Sequence, residues 1–431
     1  MPSSHVLDRL DIAFDDPHAV ANAGLLLPAT LAAHLGIEEA ANEVIDLRGL
    51  PASFQPGAKV MTLVHALIAG ADCIDDADLL RSGSTAAVLG HRVLAPSTLG
   101  TFLRSFTFGH VRQLDRLAEI ALSRAWAAGA GPGDTPLIID LDSTICGVHG
   151  YAKQGAAYGY TTVLGYHPLL ATRAQTGEIL HARMRKGSAH TGRGAERFVN
   201  ELVGRVGRAG ATGPIVLRGD CGFWSKQVIG ACRRHDIRFS ITVRQTAPVQ
   251  RAIEAIDENA WVEIEYSPDA IAEVAETSLG GDGLIVRRVR NLDDQGELFP
   301  DWRYHAFVTD RGGDLLVIEA EHREHAVVEL VIRDLKEGSG LRHCPSGRFH
   351  ANGAWLVLTT LAHNLVRWVA ALGMAHAAPL VVKTVRRKLI DVPGRLTRSG
   401  RRSKLSLPRE WPWSEAFIAA ITRLRSLPRA A

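Results

Sequence analysis

Cysteine is scarce in this 431-residue chain, and its five thiols, Cys73, Cys146, Cys221, Cys232 and Cys344, form no Cys-x-x-Cys pair and no metal-finger spacing. An odd, scattered set excludes a disulfide-stapled secreted scaffold and a zinc ribbon, and fits a reducing cytosol with most thiols as small core residues. The opening MPSSHVLDRLDIAFDD has an acidic balance and lacks the apolar centre of a secretory leader. No run of about 18 apolar residues occurs, the length a membrane span needs. Residues 352–374 come closest, but Asn364 and Arg367 interrupt them, so no membrane partner is expected. Internal repeats and low-complexity tracts are also missing.

What is present reads as a folded protein. The hydrophobic share is 46% against 22% charged, and the length allows two or three domains. The formal net charge is only +3, but it is unevenly placed. From Lys383 to Lys404 there are nine Lys/Arg and one Asp, a local +8 that leaves the rest of the chain at about −5. Such a stretch is either a solvated basic face or a surface for phosphate backbones.

The texture changes along the chain. Residues 20–128 carry apolar residues at helical spacing, punctuated by Gly and Pro. Within them TLGTFLRSF resembles half of a helix-turn-helix, a pattern an ordinary helical bundle shares. AGAGPGDTP (128–136) reads as a linker. LIIDLDST, TTVLGYHPLLATRA, EILHARMRKG, PIVLRGD and IRFSITVR read as strands, with AERFVNELVGRVGRAG and KQVIGACRRHD as helices. A meander followed by alternating helix and strand describes a mixed α/β domain with acids at strand ends, the plan of a ribonuclease-H-like core. Residues 246–305 interrupt it with the β-rich pieces WVEIEY, AEVAETSL and GLIVRRVRNL, separated by SPD, GGDG and NLDDQGE turns. YHAFVTD and LLVIEA are then read as resumed core strands, followed by helices at about 321–337 and 352–374. The predicted organisation is a helical domain (1–130), a ribonuclease-H-like core in two parts (131–245 and 306–375) around a β-rich insertion (246–305), and a basic tail (376–431).

Four acidic residues at three places stand out. Asp140 and Asp142 close the first strand and, two apart, share a face. Asp220 ends the apolar run PIVLRGD. Glu329 lies on EHREHAVVELVIRDLKEG, where His322, His325, Glu329, Arg333 and Lys336 are spaced 3, 4, 4 and 3, the spacing of one helix face. Phosphodiester chemistry needs charge stabilisation on the attacking and leaving oxygens, which two Mg²⁺ or Mn²⁺ ions supply. Hard cations want carboxylate oxygens with sites left for water and phosphate. Two strand-end aspartates and one helix glutamate can form that cage, and the neighbouring cations can hold phosphates. Other readings stay open from the residues alone. A strand-end Asp is often a turn or cap, and His322, His325 and Glu329 are also a plausible transition-metal set. DLDST also resembles the first motif of haloacid-dehalogenase-type phosphatases, with Asp140 as nucleophile and Asp142 as acid/base. In GDCGFW, however, Trp224 stands where the second acid of their metal motif belongs.

DLDST (140–144), GYHPLL (165–170), LRGDCGF (217–223), DLKEG (334–338) and FHANGAWLVLTTLAHNLVRW (349–368) together resemble a bacterial insertion-sequence transposase of the DDE type, transposase DDE domain group 1. The helix is similar to the Tyr-x2-Arg-x3-Glu-x6-Lys signature of related transposases, with Glu329 and Lys336 in the Glu and Lys places, and His322 and His325 where Tyr and Arg are usual. The resemblance implies a ribonuclease-H-like domain in which Asp142, Asp220 and Glu329 bind two metal ions, with Asp140 as an assisting ligand. It implies a homodimer acting on terminal inverted repeats and target DNA in the bacterial cytoplasm, nucleoid-associated, with 1–130 as a DNA-binding and dimerisation domain, 131–245 and 306–375 as the catalytic core, and 376–431 as a DNA-contacting tail. The implied DNA contacts are His322, His325, Arg333, Lys336, Lys383, Arg386, Arg387, Lys388, Arg401, Arg402 and Lys404. A catalytically inactive DNA-binding derivative is the alternative from another class.

Overall fold

The computed structural model describes residues 10–51, 53–159, 161–292, 302–374 and 380–430. After a two-residue strand, β1 (Ala19–Val20), the chain is helical: α1 (Leu26–His34), α2 (Ile37–Val44), α3 (Pro56–Ala69), α4 (Thr85–Leu89), α5 (Pro96–Arg104) and α6 (Phe108–Ala125). Local chemistry sets these limits. Pro56 and Pro96 open α3 and α5, where a missing amide costs no helical bond. Gly70 ends α3 at φ 109°, a left-handed conformation that glycine adopts without a Cβ clash. Thr107 and His110 close a capping box on α6.

The next strands are β2 (Leu137–Ser143), β3 (Cys146–Gly147), β4 (Ala157–Tyr158), β5 (Leu164–Tyr166), β6 (Leu169–Arg173) and β7 (Ile179–Arg183). Helix α7 (Ala195–Ala209) leads to β8 (Ile215–Gly219), and α8 (Lys226–Arg234) to β9 (Arg238–Thr242). α9 (Ala247–Glu254), β10 (Val262–Ile264), β11 (Ala270–Leu279), β12 (Asp282–Asn291) and β13 (Arg303–Thr309) follow. The main sheet has nine strands in the order β10-β11-β12-β13-β9-β8-β2-β6-β7. β2, β6 and β7 form an antiparallel meander, while β8 runs parallel to β2 and β9 parallel to β8. A three-stranded meander that begins with β2, and two parallel strands on the other side of β2, make the core ribonuclease-H-like.

Four expectations are corrected or sharpened. Among the described residues, the strands of 246–305 make no sheet of their own: β13 pairs antiparallel with β9, so β10–β13 continue the core sheet. The end of the NLDDQGE turn lies outside the described residues. LLVIEA is not a strand but the start of α10 (Leu315–Arg323). Its N-cap Asp314 accepts hydrogen bonds from Leu316 N at 2.8 Å and Val317 N at 3.2 Å, which tips an apolar run of ambiguous period toward helix. The long helix expected at 321–337 is two, because a 3₁₀ segment, Glu324–Val327, separates α10 from α11 (Val328–Gly338).

Last, the basic tail is part of the fold. α12 (Phe349–Trp368) is followed by α13 (Val382–Val385), the hairpin β14 (Gly394–Ser399) and β15 (Arg402–Ser406), and α14 (Ser414–Ser426). β14 pairs with β1 through Ala19↔Arg395, and α14 packs on α1. The carboxyl-terminal segment therefore completes the amino-terminal helical layer.

α12 joins that layer to the sheet. The stretch Phe349–Gly373 is long and apolar enough to cross a membrane, yet 89% of its most apolar part is buried inside the protein, as expected of a helix apolar all round. It touches α3, α5 and α6 on one side and β7 on the other. The residues that break its apolar run have assigned partners: Asn364 accepts from Ile179 N and donates to Ile179 O, both at 2.8 Å. Arg367 donates to Asp334 at 2.9 Å.

Candidate active site

Leu137, Ile139 and Leu141 of β2 are all fully buried, so the alternation delivers Asp140 and Asp142 to the opposite face. Leu141 pairs with Gly219 of the parallel strand β8. One residue further on, Asp142 and Asp220 therefore leave the sheet side by side at the carboxyl ends of neighbouring strands. α11 packs across that end through Val328, Val331, Ile332 and Leu335, in a cluster with Leu170, Ile179, Cys146 and Leu356. This docking brings Glu329 over the two aspartates.

The result is a cleft of about 590 Å³ lined by Asp142, Asp220 and Glu329, with Arg333, Lys336 and Arg342 as its cations. Asp220 also borders a second hollow with Tyr158, His190 and Arg244. Both aspartates are pinned by backbone amides: Asp142 accepts from Ser143 N at 2.6 Å, and Asp220 from Gly222 N at 2.9 Å. Burial is the largest influence on Asp142. With the charges of Asp220 and Glu329 it outweighs the Ser143 amide and His325, and pushes the carboxyl up to about 6.

An acid raised in this way is short of positive charge. Carboxylate oxygens alone are the donor set of a hard divalent cation, so these residues fit the ions that the sequence implies. Their oxygens are spread more widely than a single-ion cage. Among the described residues, the one trio whose ligand atoms all lie within 4.8 Å is Asp72, Cys73 and Asp76.

A family model described as transposase DDE domain group 1 matches residues 5–429. The chain belongs to this family. Among solved structures, the cryo-EM structure of a piggyBac transposase synaptic complex with hairpin DNA aligns over 86% of this chain and 79% of that chain, at 12% identity and a TM-score of 0.41. That likeness is too remote to argue from. No curated protein sequence matches.

In this DDE-family chain Asp140 has no place among the cleft's lining residues. It is 1% exposed and sits two residues deeper along β2 than Asp142. Arg218, its neighbour on β8, grips it with two bonds, Nε to Oδ1 at 2.7 Å and Nη2 to Oδ2 at 2.8 Å. His325 Nδ1 adds a third at 2.9 Å, and another Arg218 N–H donates to the Glu321 carbonyl at the end of α10. Asp140 is thus a buried anchor for the segment that carries Glu329. That removes it as an assisting metal ligand, and equally as a phosphatase nucleophile, since both its oxygens are engaged away from solvent.

The family's helix signature is likewise divided by the 3₁₀ turn. Glu329, Arg333 and Lys336 line the cleft, with Lys336 Nζ bonded to the Ile145 carbonyl at 2.9 Å. His322 points to β9, between Ser240 Oγ at 2.7 Å and Thr242 Oγ1 at 3.1 Å, and stacks on Phe307 with ring centroids 3.9 Å apart. Turned inward, it offers no DNA contact, and His322, His325 and Glu329 do not converge on a transition metal. Arg386 is also withdrawn from the DNA-contact set: its guanidinium is spent on the carbonyls of Leu67, Ile68 and Gly338. Lys383 is exposed but ion-paired with Glu337 at 2.9 Å, and Lys388 lies over the Trp413 ring. Arg387, Arg401, Arg402 and Lys404 are exposed, as are Arg395 and Arg398 on the same hairpin.

Reading the sequence missed Arg218, Ser143, His167 and Arg342. The first three lie inside motifs that were singled out, LRGDCGF, DLDST and GYHPLL, but their roles depend on partners from other strands. Arg342 had no signal. The Asp72, Cys73 and Asp76 group can chelate a divalent cation, although Asp76 already uses an oxygen to accept from the amides of Asp72 and Cys73.

Buried neutral histidines give an expected pH dependence. Burial, the largest cause in each, holds His322 and His363 down to about 3. Both are therefore neutral in the fold, whereas the unfolded chain takes up their protons near 6.5. Their contribution is complete above pH 6.5 and is lost as the pH falls toward 3. Urea unfolding should show roughly 2 kcal/mol lost per histidine between pH 6.5 and 5. A flat profile in His322→Gln and His363→Gln relative to wild type confirms the assignment, and an unchanged slope refutes it.

Proposed function

We propose that the chain is a DNA transposase that cuts at the terminal inverted repeats of a mobile element and joins the freed ends to target DNA. The observation carrying this reading is the single cleft lined by Asp142, Asp220 and Glu329, with Asp142 short of positive charge. These three residues would hold two Mg²⁺ or Mn²⁺ ions. When bound, such ions stabilise charge on the attacking and leaving oxygens of an in-line displacement. The amide-pinned aspartates keep their oxygens aimed without a change of rotamer, and Lys336 braces the loop after Asp142. Arg333 and Arg342, exposed at the cleft, would clamp the scissile phosphate's neighbours. Two ends must be held together for transfer, so a homodimer on double-stranded DNA, in the bacterial cytoplasm, belongs to the proposal.

The test is cleavage of a supercoiled plasmid carrying the gene with its flanking DNA, with Mg²⁺ or Mn²⁺. Excision at the element ends and insertion of those ends elsewhere support the reading. DNA binding with no cleavage under either cation refutes it in favour of an inactive DNA-binding derivative.

The hairpin β14–β15 would supply backbone contacts through Arg395, Arg398, Arg401, Arg402 and Lys404, all exposed. Each phosphate contact releases counterions, so Arg398→Ala, Arg401→Ala and Arg402→Ala together should flatten the salt dependence of DNA affinity by about one logarithmic slope unit per residue. Fluorescence anisotropy at several salt concentrations measures it. An unchanged slope removes the hairpin from the DNA surface.

A further inference from the structure

Beyond Asp220 lies the second hollow, about 520 Å³ in volume and lined by Tyr158, Ser188, His190, Thr191 and Arg244 together with Asp220. Neither Asp142 nor Glu329 lines it. A phosphate held over all three acids would therefore lie in the first cleft, with the second hollow beside it. The volume falls within the roughly 300–1,000 Å³ of small-ligand sites, room enough for one nucleotide unit.

The walls are closely packed. Tyr158 ends β4, which pairs with β5 through Tyr158↔Leu164. Glycines let this strand lie backbone to backbone on the following loop. A Cβ at Gly187 would run into the carbonyls of Ala157 and Gly165, and one at Gly159 would lie 2.8 Å from the Gly187 carbonyl. Gly222 likewise lets the turn after Asp220 close on the next loop, since a Cβ there would meet the Thr191 side chain at 2.5 Å. His167 ties the walls of the two hollows together, with Nδ1 2.8 Å from the Ala189 carbonyl and Nε2 2.9 Å from Ser143 Oγ.

The lining points to one kind of ligand. Tyr158 is 57% exposed, and its ring has no aromatic or cationic neighbour among the described residues. A firmly held, uncovered ring is a stacking platform for a base. Arg244 is exposed, with no carboxylate partner among the described residues. Arg185 lies buried behind the loop and donates to the carbonyls of His167, His190, Thr191 and Arg193 at 2.8, 3.0, 2.8 and 3.0 Å. It too meets no carboxylate among the described residues. Two cations thus stand against the one carboxylate of Asp220, which favours an anion. A base face and an anion in one unit describe a nucleotide. Paired bases have their faces covered by the stack, so an unpaired base is the one that fits.

We propose that the second hollow is a subsite for one unpaired nucleotide of the DNA strand, next to the scissile phosphate, with its base on Tyr158 and its phosphate on Arg244. The inference rests on the transposase reading and deepens it. The strand runs across Asp220, from Arg333 and Arg342 on one side to Arg244 on the other, and leaves the duplex stack where it crosses.

Fluorescence anisotropy with a short labelled oligothymidylate tests this, in an Arg398→Ala, Arg401→Ala, Arg402→Ala background so that the hairpin does not mask the subsite. Tyr158→Ala should weaken binding about 10-fold, the scale of one stacked base. Tyr158→Phe, which keeps the ring, should bind as the background protein does. Arg244→Ala should weaken binding and flatten its salt dependence by about 0.7 logarithmic slope unit, one phosphate of a single strand. A blunt duplex probe should be indifferent to Tyr158→Ala. With the hairpin intact, both alanine variants should slow single-turnover cleavage of the flanked plasmid by about 10-fold or more, with Mn²⁺ affinity and Tm unchanged. Unchanged oligothymidylate affinity in Tyr158→Ala, or an equal loss in Tyr158→Phe, overturns the stacking site. An unchanged salt slope in Arg244→Ala overturns the phosphate site. An equal loss on the duplex probe, or unchanged cleavage by both variants, overturns the proposal as a whole. These failures leave the transposase reading standing as long as the wild type cleaves. A wild type that cleaves nothing with either cation sinks that reading, whatever the oligothymidylate shows.

Discussion

Asp142→Asn is expected to abolish cleavage and, in the same protein, to make the cation-free fold harder to unfold. The two effects share one cause. Asp142 is pushed from 3.8 up to about 6, first by burial and then by the charges of Asp220 and Glu329. Above pH 6 it is ionised in both folded and unfolded states, and the fold carries the full cost of about 3 kcal/mol. Below the ordinary carboxylate range both states are protonated and the cost disappears. The contribution therefore runs opposite to that of His322 and His363, improving as the pH falls toward 4. Asparagine removes the charge at every pH, so urea unfolding in EDTA at pH 7.5 should show the variant more stable than wild type.

Adding Mn²⁺ should stabilise the wild type, by mass action on the folded state, and do far less for the variant. Charge stabilisation worth several kcal/mol corresponds to a loss in cleavage rate on the order of a thousandfold. Asp220→Asn and Glu329→Gln should match that loss. A cation-free Asp142→Asn protein that is less stable than wild type would mean that the three acids do not share a cleft short of positive charge.

Arg218→Met is expected to have the largest effect on stability. Its side chain is 1% exposed and that of Asp140 2%, with the carboxylate held by a two-bond fork. Removing the guanidinium leaves a buried carboxylate with His325 as its main partner. Breaking a buried pair from one side costs about 3–5 kcal/mol, whereas replacing both partners is far milder. Asp140→Leu combined with Arg218→Met should therefore be more stable than Arg218→Met alone, with denaturant unfolding as the measure. Cleavage should fall in both, because His325 and the Glu321 carbonyl lose the anchor that ties the segment before Glu329 to the sheet. A loss under about 1 kcal/mol, the scale of a surface pair, would show that the anchor is not buried in solution.

Asp140 and Asp142 are two residues apart in one motif, yet these experiments expect them to behave in opposite ways. Neutralising Asp142 relieves the fold and ends the chemistry. Disturbing Asp140 damages the fold first. Period two places both on one face, but depth along β2 separates them, and depth is set by where α10 and α11 cross the sheet end.

Much of the fold was legible locally. Apolar runs marked β2, β8 and β9, and Asp142 and Asp220 at the ends of the first two stood out because an acid ends an apolar strand. The spacing on α11 identified Glu329, Arg333 and Lys336, which do share the cleft. The same spacing failed for His322 and His325, because it assumed an unbroken helix. The 3₁₀ turn changes the angular step, so His322 turns to β9 and His325 to Asp140. LLVIEA failed for a related reason: a short apolar run has no period of its own, and Asp314 decided it.

By itself the sequence determined which segments could bury an apolar face, where acids end strands, and that positive charge gathers between Lys383 and Lys404. Those properties depend on near neighbours along the chain. Only the tertiary structure decided that β2 and β8 lie side by side, that Arg218 claims Asp140, that His167 meets Ser143, and that the basic segment folds as a hairpin on β1 with Arg386 spent on backbone carbonyls. Each of these joins residues far apart in the chain, whose meeting is set by the burial of surfaces that no local pattern encodes.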